Sequence, residues 1–141
     1  MNAMTRGALS AYSQVGVETS IASASPHKLI TMLFDGALVA IANAKGHMLR
    51  NEIAPKGEAI SKAIAIIDQG LKASLNEEVG GDLAQNLKAL YEYMSNRLLM
   101  ANLKNDVAGL DEVSLLLGEL KSAWEQIGQP AQVVAPPVVE K

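Results

Sequence analysis

The chain has 141 residues, of which 49% are apolar, 19% charged and 4% aromatic, and its formal net charge is −3. This length suits one domain with a core of its own, and the shortage of aromatic residues favours helices over a β-sheet. The lack of cysteine excludes disulfides and thiol catalysis, and the acidic balance with dispersed Lys and Arg argues against nucleic-acid binding.

Residues 1–24 form a predicted N-terminal segment of small and polar residues. A short helix near residues 3–14 is expected there, held only loosely because isolated helices of that length are marginally stable. The segment lacks the continuous apolar stretch of a secretory signal, and the longest apolar run of the chain, 37–42, is too short to span a bilayer. We therefore expect a cytoplasmic protein that does not insert into a membrane.

The first two of four predicted helices span about 25–50 and 56–75. Ser25 and Pro26 mark the first start, because Ser can cap free N–H groups and Pro lacks only an N–H that a first turn does not need. The second helix follows a break at 51–55 and shows the alternating spacing of a heptad seam. Its seam consists of Ile60, Ile64, Ile67 and Leu71.

The third and fourth helices are predicted over about 82–103 and 110–127. The third follows the glycine pair 80–81 and opens at Asp82, whose carboxylate can cap it. Acidic residues at 111–112 are expected in the first turn of the fourth helix, where the helix dipole favours negative charge. The two apolar seams are Leu83, Leu87, Leu90, Met94, Leu98 and Ala101 on the third helix, and Leu110, Val113, Leu117, Leu120, Trp124 and Ile127 on the fourth.

Together these helices predict an all-α fold, an antiparallel up-down four-helix bundle over residues 25–127. The seam residues, at helical spacing, are its predicted core. Residues 128–141 contain three of the five prolines and no period, which is typical of a disordered tail.

No catalytic, metal or cofactor site is predicted. A di-iron bundle needs a Glu three residues before each ligand His, but Ala precedes both His27 and His47 at that spacing. Zinc needs further His or Cys ligands, and the chain has no glycine-rich phosphate loop. His27 is predicted to be a solvated side chain. His47 has the Lys and Gly of phosphorelay bundles beside it in the wrong order, so phosphotransfer at His47 is kept only as an alternative to a helix C-terminal role.

The helices carry more apolar residues than one bundle seam needs. The surplus positions are Ile30, Phe34, Leu38, Ile41, Ile66, Tyr91, Leu99, Leu115 and Leu116, and all of them except Leu99 are the predicted groove residues. One interpretation is a broad core completed by the N-terminal helix; the other is a groove for amphipathic helices of another chain. Both hold if the N-terminal segment, through Leu9 and Tyr12, fills the groove until a partner displaces it.

Several short motifs between residues 9 and 127 follow one another in an order typical of one protein family. They include Ala11-Tyr12-Ser13-Gln14-Val15, Ser25-Pro26-His27-Lys28-Leu29-Ile30, Gly80-Gly81-Asp82-Leu83, Leu90-Tyr91-Glu92-Tyr93-Met94, Leu98-Leu99-Met100-Ala101-Asn102 and Ala123-Trp124-Glu125-Gln126-Ile127. Each motif is unspecific alone, but in this order they resemble the flagellin-specific export chaperone family, FliS.

The resemblance implies a chaperone, not an enzyme. It implies that the protein binds the disordered C-terminal segment of flagellin in apolar grooves, prevents premature polymerisation, and delivers flagellin to the flagellar type III export gate. It also implies that Tyr12 is the family's N-terminal Tyr, and that Leu9 and Tyr12 serve both as a groove plug and in docking to the export gate. Other flagellar regulators are further expected partners. The alternative is a helical adaptor for another secreted or regulatory protein.

Overall fold

The computed structural model of the protein describes residues 24–128, and within this range it is built from helices without a β-strand. The predicted N-terminal helix, Leu9, Tyr12 and nearly all of the predicted tail lie outside the described residues. The helices are α1 (Pro26–Leu49), α2 (Ile53–Ala65) with a π-helical continuation (Ile66–Lys72), α3 (Glu77–Lys104) and α4 (Val107–Ile127). The predicted all-α four-helix fold is therefore confirmed.

Helix α1 begins as the sequence predicts. The Ser25 hydroxyl accepts a hydrogen bond from the Lys28 backbone N–H at 3.1 Å, and Pro26 occupies the first helical position. By length and composition α1 could cross a membrane, but half of its apolar stretch is buried inside the bundle. Burial of this kind is typical of the central helix of a bundle, whose apolar residues face other helices.

Helix α2 begins at Ile53, three residues earlier than predicted. The break predicted at 51–55 includes Pro55, yet Pro is tolerated in a first turn because the N–H it lacks has no partner within the helix. After Ala65 the helix widens into the π-helical continuation, which the heptad pattern did not predict. The widening leaves four residues of this segment buried: Ile66, Ile67, Gly70 and Leu71.

Helix α3 begins at Glu77, with the Asn76 side chain accepting hydrogen bonds from two backbone N–H groups at 3.1 Å each. The predicted glycine break is real but lies inside this helix, because Gly81 has φ 54° and ψ −129°. A residue without Cβ adopts that conformation at low steric cost. The first turn of α3 is thus set off from the rest of the helix by a kink, and the helix starts five residues before the predicted Asp82.

Helix α4 follows α3 almost directly. Asn105 ends α3 in the left-handed conformation (φ 52°), which Asn tolerates better than most residues, and Asp106 caps α4 through the Ala108 N–H at 3.0 Å. Helix α4 therefore starts at Val107. The acidic residues 111–112 were expected in its first turn, but they lie beyond it. The turn is tied to α2 by Lys56, whose ammonium group donates to the Asn102 carbonyl at 2.9 Å and to the Asn105 side chain at 2.5 Å.

The core lies between all four helices. Its largest fully buried side chains are Leu33, Ile41, Ile60, Ile66, Ile67, Leu71, Met94, Leu98, Leu110, Val113 and Leu117. Nine of the sixteen predicted seam residues are buried, but the seams are not buried along their whole length, and the prediction that Ile127 is a core residue is wrong because it is 64% exposed at the end of α4. Leu83 on α3 is 68% exposed and Trp124 on α4 is only partly buried. Both residues lie at the same end of the bundle, where the cavities described next open.

Candidate partner-binding groove

Two neighbouring cavities open at the bundle end where α1 and α3 begin and α4 finishes. The first has a volume of about 380 Å³ and is lined by Pro26, His27, Leu29, Ile30, Leu33, Gly70, Ser74 and Trp124. The second has a volume of about 450 Å³ and is lined by Ile30, Phe34, Ser74, Leu75, Asn76, Val79, Gly80, Leu83, Ala84, Leu87, Tyr91 and Trp124. Since Ile30, Ser74 and Trp124 line both cavities, the two adjoin each other and together form one mainly apolar groove.

The kinked start of α3 forms the outer wall of the second cavity. Val79 precedes the kink and Leu83 follows it, and these side chains are 85% and 68% exposed. Gly80 sits between them with Ala84 close by, since a Cβ on Gly80 would lie 2.8 Å from the Ala84 Cβ. Large apolar side chains this exposed keep most of their unfavourable contact with water, so a partner that covers them gains hydrophobic free energy.

The π-helical continuation of α2 contributes to the first cavity through Gly70. This residue is buried and lines the cavity, and it has no side chain to fill the space. π-helical turns occur frequently at functional sites, because the extra residue widens the helix locally. The cavity therefore depends on a backbone feature that no periodic sequence pattern predicts.

His27 and Trp124 contact each other at the mouth of the groove. The His27 Nε2 atom lies 2.7 Å from the Trp124 carbonyl oxygen, and the Trp124 indole N–H donates to the His27 carbonyl at 3.0 Å. The two rings also stack, with centroids 4.6 Å apart and planes 7° apart. The prediction that His27 is a solvated side chain is therefore wrong, because the fold brings together residues 97 positions apart.

The structure places the predicted groove residues in three different environments. Ile30, Phe34 and Tyr91 line the groove, and Phe34 and Tyr91 are almost fully buried at its base. Ile41 and Ile66 are sealed in the core and line neither cavity. The remaining three also line neither cavity: Leu38 and Leu116 pack partly buried against the core, and Leu115 is 64% exposed. Their roles in partner binding stay predictions, as do those of Leu9 and Tyr12.

Sequence reasoning missed several lining residues. Leu83, Leu87 and Trp124 had been assigned to the core because they continue the heptad seams, and Leu75 and Val79 had not been singled out. A signal was available at the glycine pair 80–81, since a helix break beside exposed apolar residues predicts incomplete packing. It did not indicate which cavity the break would open.

Among the described residues, no Asp, Glu, Lys or Arg side chain lines the two cavities of the groove. Burial raises the pKa of Tyr91 to about 12, so its phenol stays protonated over the physiological range.

Within residues 24–128, no cluster of three or more His, Asp or Glu side chains is placed to hold a metal ion. His47 lies in the last turn of α1, as predicted, and its Nδ1 atom is 2.7 Å from the Glu52 carboxylate. That contact is the largest cause of the lowered pKa of Glu52.

These features define a helical-bundle binding protein with an open apolar groove. A family model described as "Flagellar protein FliS" matches residues 8–131. The flagellar secretion chaperone FliS of Salmonella typhimurium is 51% identical over 127 residues, covering 90% of this chain and 94% of that protein. FliS of Escherichia coli is 47% identical over 128 residues, covering 91% and 94%. FliSB of Pseudomonas aeruginosa is 50% identical over 120 residues, covering 85% and 94%.

The chain belongs to the FliS family of flagellar secretion chaperones. The resemblance predicted from the ordered motifs is thereby confirmed. A chaperone of this kind implies a substrate of the flagellar export system as its partner.

Proposed function

We propose that this protein binds the C-terminal segment of flagellin in its apolar groove, one to one, in the cytoplasm. Binding keeps flagellin from polymerising early and allows its delivery to the flagellar type III export gate. The observation that carries this proposal is the apolar groove, whose outer wall presents Val79 and Leu83 largely to solvent. The relatives from Salmonella typhimurium and Escherichia coli are flagellar secretion chaperones, which supports the same function.

The shape of the groove suits a helical segment. Amphipathic helices bind apolar grooves through side chains at positions i, i+3, i+4 and i+7, which lie along one face. Two adjoining cavities of about 380 and 450 Å³ can each receive several such side chains. Polar groups at the rim, including Ser74 and Asn76, leave the interior of the groove apolar.

The energetics are consistent with binding of a disordered segment. Folding such a segment upon binding costs about 2 to 5 kcal/mol. At about 25 cal/mol for each Å² of apolar surface buried, about 200 Å² offsets the upper value. Two leucine-sized anchors supply an area of this order, so further apolar contacts along the groove must offset the loss of translational and rotational freedom on association.

The N-terminal segment has a proposed second role. Helix α1 begins at Pro26, which lines the first cavity, so the preceding residues are attached at the edge of the groove. We infer that Leu9 and Tyr12 occupy the groove when flagellin is absent and contact the export gate after displacement. A weakly held plug lowers the cost of opening, because no core helix has to unfold.

Isothermal titration calorimetry with the flagellin C-terminal segment tests the proposal. We expect one-to-one binding with a negative heat-capacity change, which marks burial of apolar surface. A peptide of the same composition in scrambled order is the control and should not bind. No binding of the native segment at tens of micromolar contradicts the flagellin proposal and favours another exported flagellar protein as the substrate.

A pull-down with the export gate component tests the delivery step separately. The complex with flagellin should be retained on the gate component, and Tyr12→Ala should reduce this retention when the chaperone is saturated with flagellin, so that an effect of the plug on flagellin affinity does not enter the comparison. Equal retention of the Tyr12→Ala variant contradicts the docking role of Tyr12.

A further inference from the structure

The contact between His27 and Trp124 joins the first turn of α1 to the end of α4 by three separate interactions, and we refer to it as the clasp. Because a carbonyl oxygen only accepts, His27 Nε2 must carry a proton and donate it to Trp124 at 2.7 Å. The indole N–H returns a hydrogen bond to the His27 carbonyl, and the rings stack. Both ends of the tryptophan are thereby held, its backbone by the imidazole and its ring by the α1 backbone.

Gly128 closes the clasp from the other side. A Cβ placed on this residue would lie 2.1 Å from His27 Cε1, 2.3 Å from Nε2 and 2.5 Å from Nδ1. The imidazole is therefore in close contact with the Gly128 backbone, and any larger residue at 128 has to displace it. Since the imidazole is a side-chain end on a flexible stem, its displacement opens the clasp without requiring the bundle to unfold.

Trp124 is one of three residues that line both cavities, together with Ile30 and Ser74. Its indole is the largest of the three side chains and lies where the two cavities meet. Trp124 is partly buried and packed against the core, and the clasp holds it there. Loss of the clasp removes both hydrogen bonds that hold the indole and its backbone in this position.

We propose that His27 and Gly128 are positioning residues that fix Trp124 as the partition of the groove, and that Trp124 determines which helices the groove accepts. A partitioned groove favours a helix with two separate apolar clusters, one for each cavity, over a helix with one continuous apolar stripe. This inference rests on the proposed function insofar as the occupant is a helical segment.

Two synthetic amphipathic helices of equal composition test the partition directly. One carries two apolar clusters separated by a turn of small residues, and the other carries the same residues as a continuous stripe. We expect the full-length protein to bind the two-cluster helix at least tenfold more tightly. Since Trp124 is the only tryptophan of the chain, its emission should shift on binding.

Matched variants test the positioning role. Gly128→Ala should reduce the preference between the helices to less than threefold and shift the tryptophan emission of the unbound protein. Gly118→Ala, within α4, is the control for Gly128 at the end of this helix, because nothing lies within 4 Å of a Cβ on Gly118. His27→Ala should act like Gly128→Ala, whereas His47→Ala, at the other end of α1, should keep the preference. If Gly128→Ala fails to fold, the comparison of His27→Ala with His47→Ala tests the positioning role instead.

The outcomes separate this inference from the proposed function. If the protein prefers the two-cluster helix but does not bind the flagellin segment, the partition stands and the flagellin proposal fails. If flagellin binds without a change in tryptophan emission, the partition is wrong and the flagellin proposal stands. Equal binding of the two helices also overturns the partition, and clasp variants that keep the same preference as their controls overturn the positioning role of His27 and Gly128. Binding of neither the helices nor the flagellin segment overturns both.

Discussion

Replacement of Leu83 by alanine separates binding from folding. Leu83 lines the second cavity and is 68% exposed in the unbound protein. Leu103 lies on the same helix, is also 68% exposed and lines neither cavity. Leu83→Ala and Leu103→Ala are thus a matched pair of variants. The two residues lie on the same helix and are equally exposed, but only Leu83 lines the groove.

The expected magnitude follows from these exposures. Leu→Ala removes three carbon atoms, or about 2.4 kcal/mol of apolar burial at about 0.8 kcal/mol each. Since 68% of Leu83 is exposed before binding, about 1.6 kcal/mol remains to be gained when a partner covers it, which corresponds to about fifteenfold in affinity. The buried remainder limits the loss in unfolding free energy to about 1 kcal/mol in either variant.

Calorimetry with the flagellin C-terminal segment and urea unfolding measure the two quantities. Leu83→Ala should weaken binding about fifteenfold while Leu103→Ala stays within twofold of the original chain, and the two should unfold at similar urea concentrations. Equal losses of affinity in both variants, or none in either, would show that the second cavity is not the binding surface.

Three further predictions concern stability and the N-terminal segment. Lys56→Met should lower the unfolding free energy by about 2 to 3 kcal/mol in urea titrations, because it removes two hydrogen bonds from a buried charged donor. As a control, Lys45→Met breaks an exposed ion pair and should lower the unfolding free energy by under about 1 kcal/mol. Because the pKa of Tyr91 is raised to about 12 in the folded protein, the unfolded chain loses this proton first as pH rises above 10. The unfolding free energy should therefore fall by about 1.4 kcal/mol between pH 8 and pH 11, and Tyr91→Phe should lack this loss. Deletion of residues 1–24 should leave the helical circular dichroism of the bundle intact and change flagellin affinity; a deleted chain that unfolds would instead make this segment part of the core.

Local chemistry made the helices predictable, and the errors in their boundaries have local causes. Ser25 and Pro26 define the start of α1 because capping acts within one turn. Pro55 misled the prediction for α2, since the residue is compatible with a first helical turn as well as with a break. The left-handed conformation of Asn105 allows α4 to begin two residues later, at Val107. An Asn permits this conformation but does not require it, so the sequence does not predict it.

The groove was less predictable than the helices. Apolar periodicity identifies the face of a helix that avoids water, but it does not identify what covers that face. Ile41 and Leu83 were both placed on apolar stripes, yet Ile41 is 2% exposed and Leu83 is 68% exposed. The π-helical turn beside Gly70 and the clasp at His27 depend on contacts between distant parts of the chain, for which a single sequence carries no periodic signal.

The seam of α3 joins the fold to the proposed function. Its register continues without interruption from Leu83 through Leu87 and Leu90 to Met94 and Leu98. Burial changes along the same line, from 68% exposed at Leu83 through partial burial to full burial at Met94 and Leu98. The pattern that packs the inner half of α3 against its neighbours therefore extends past the part of the bundle that covers it. A helix from another chain that continues this packing needs no new kind of interaction, because the uncovered seam already has the spacing that helices use to pack against one another.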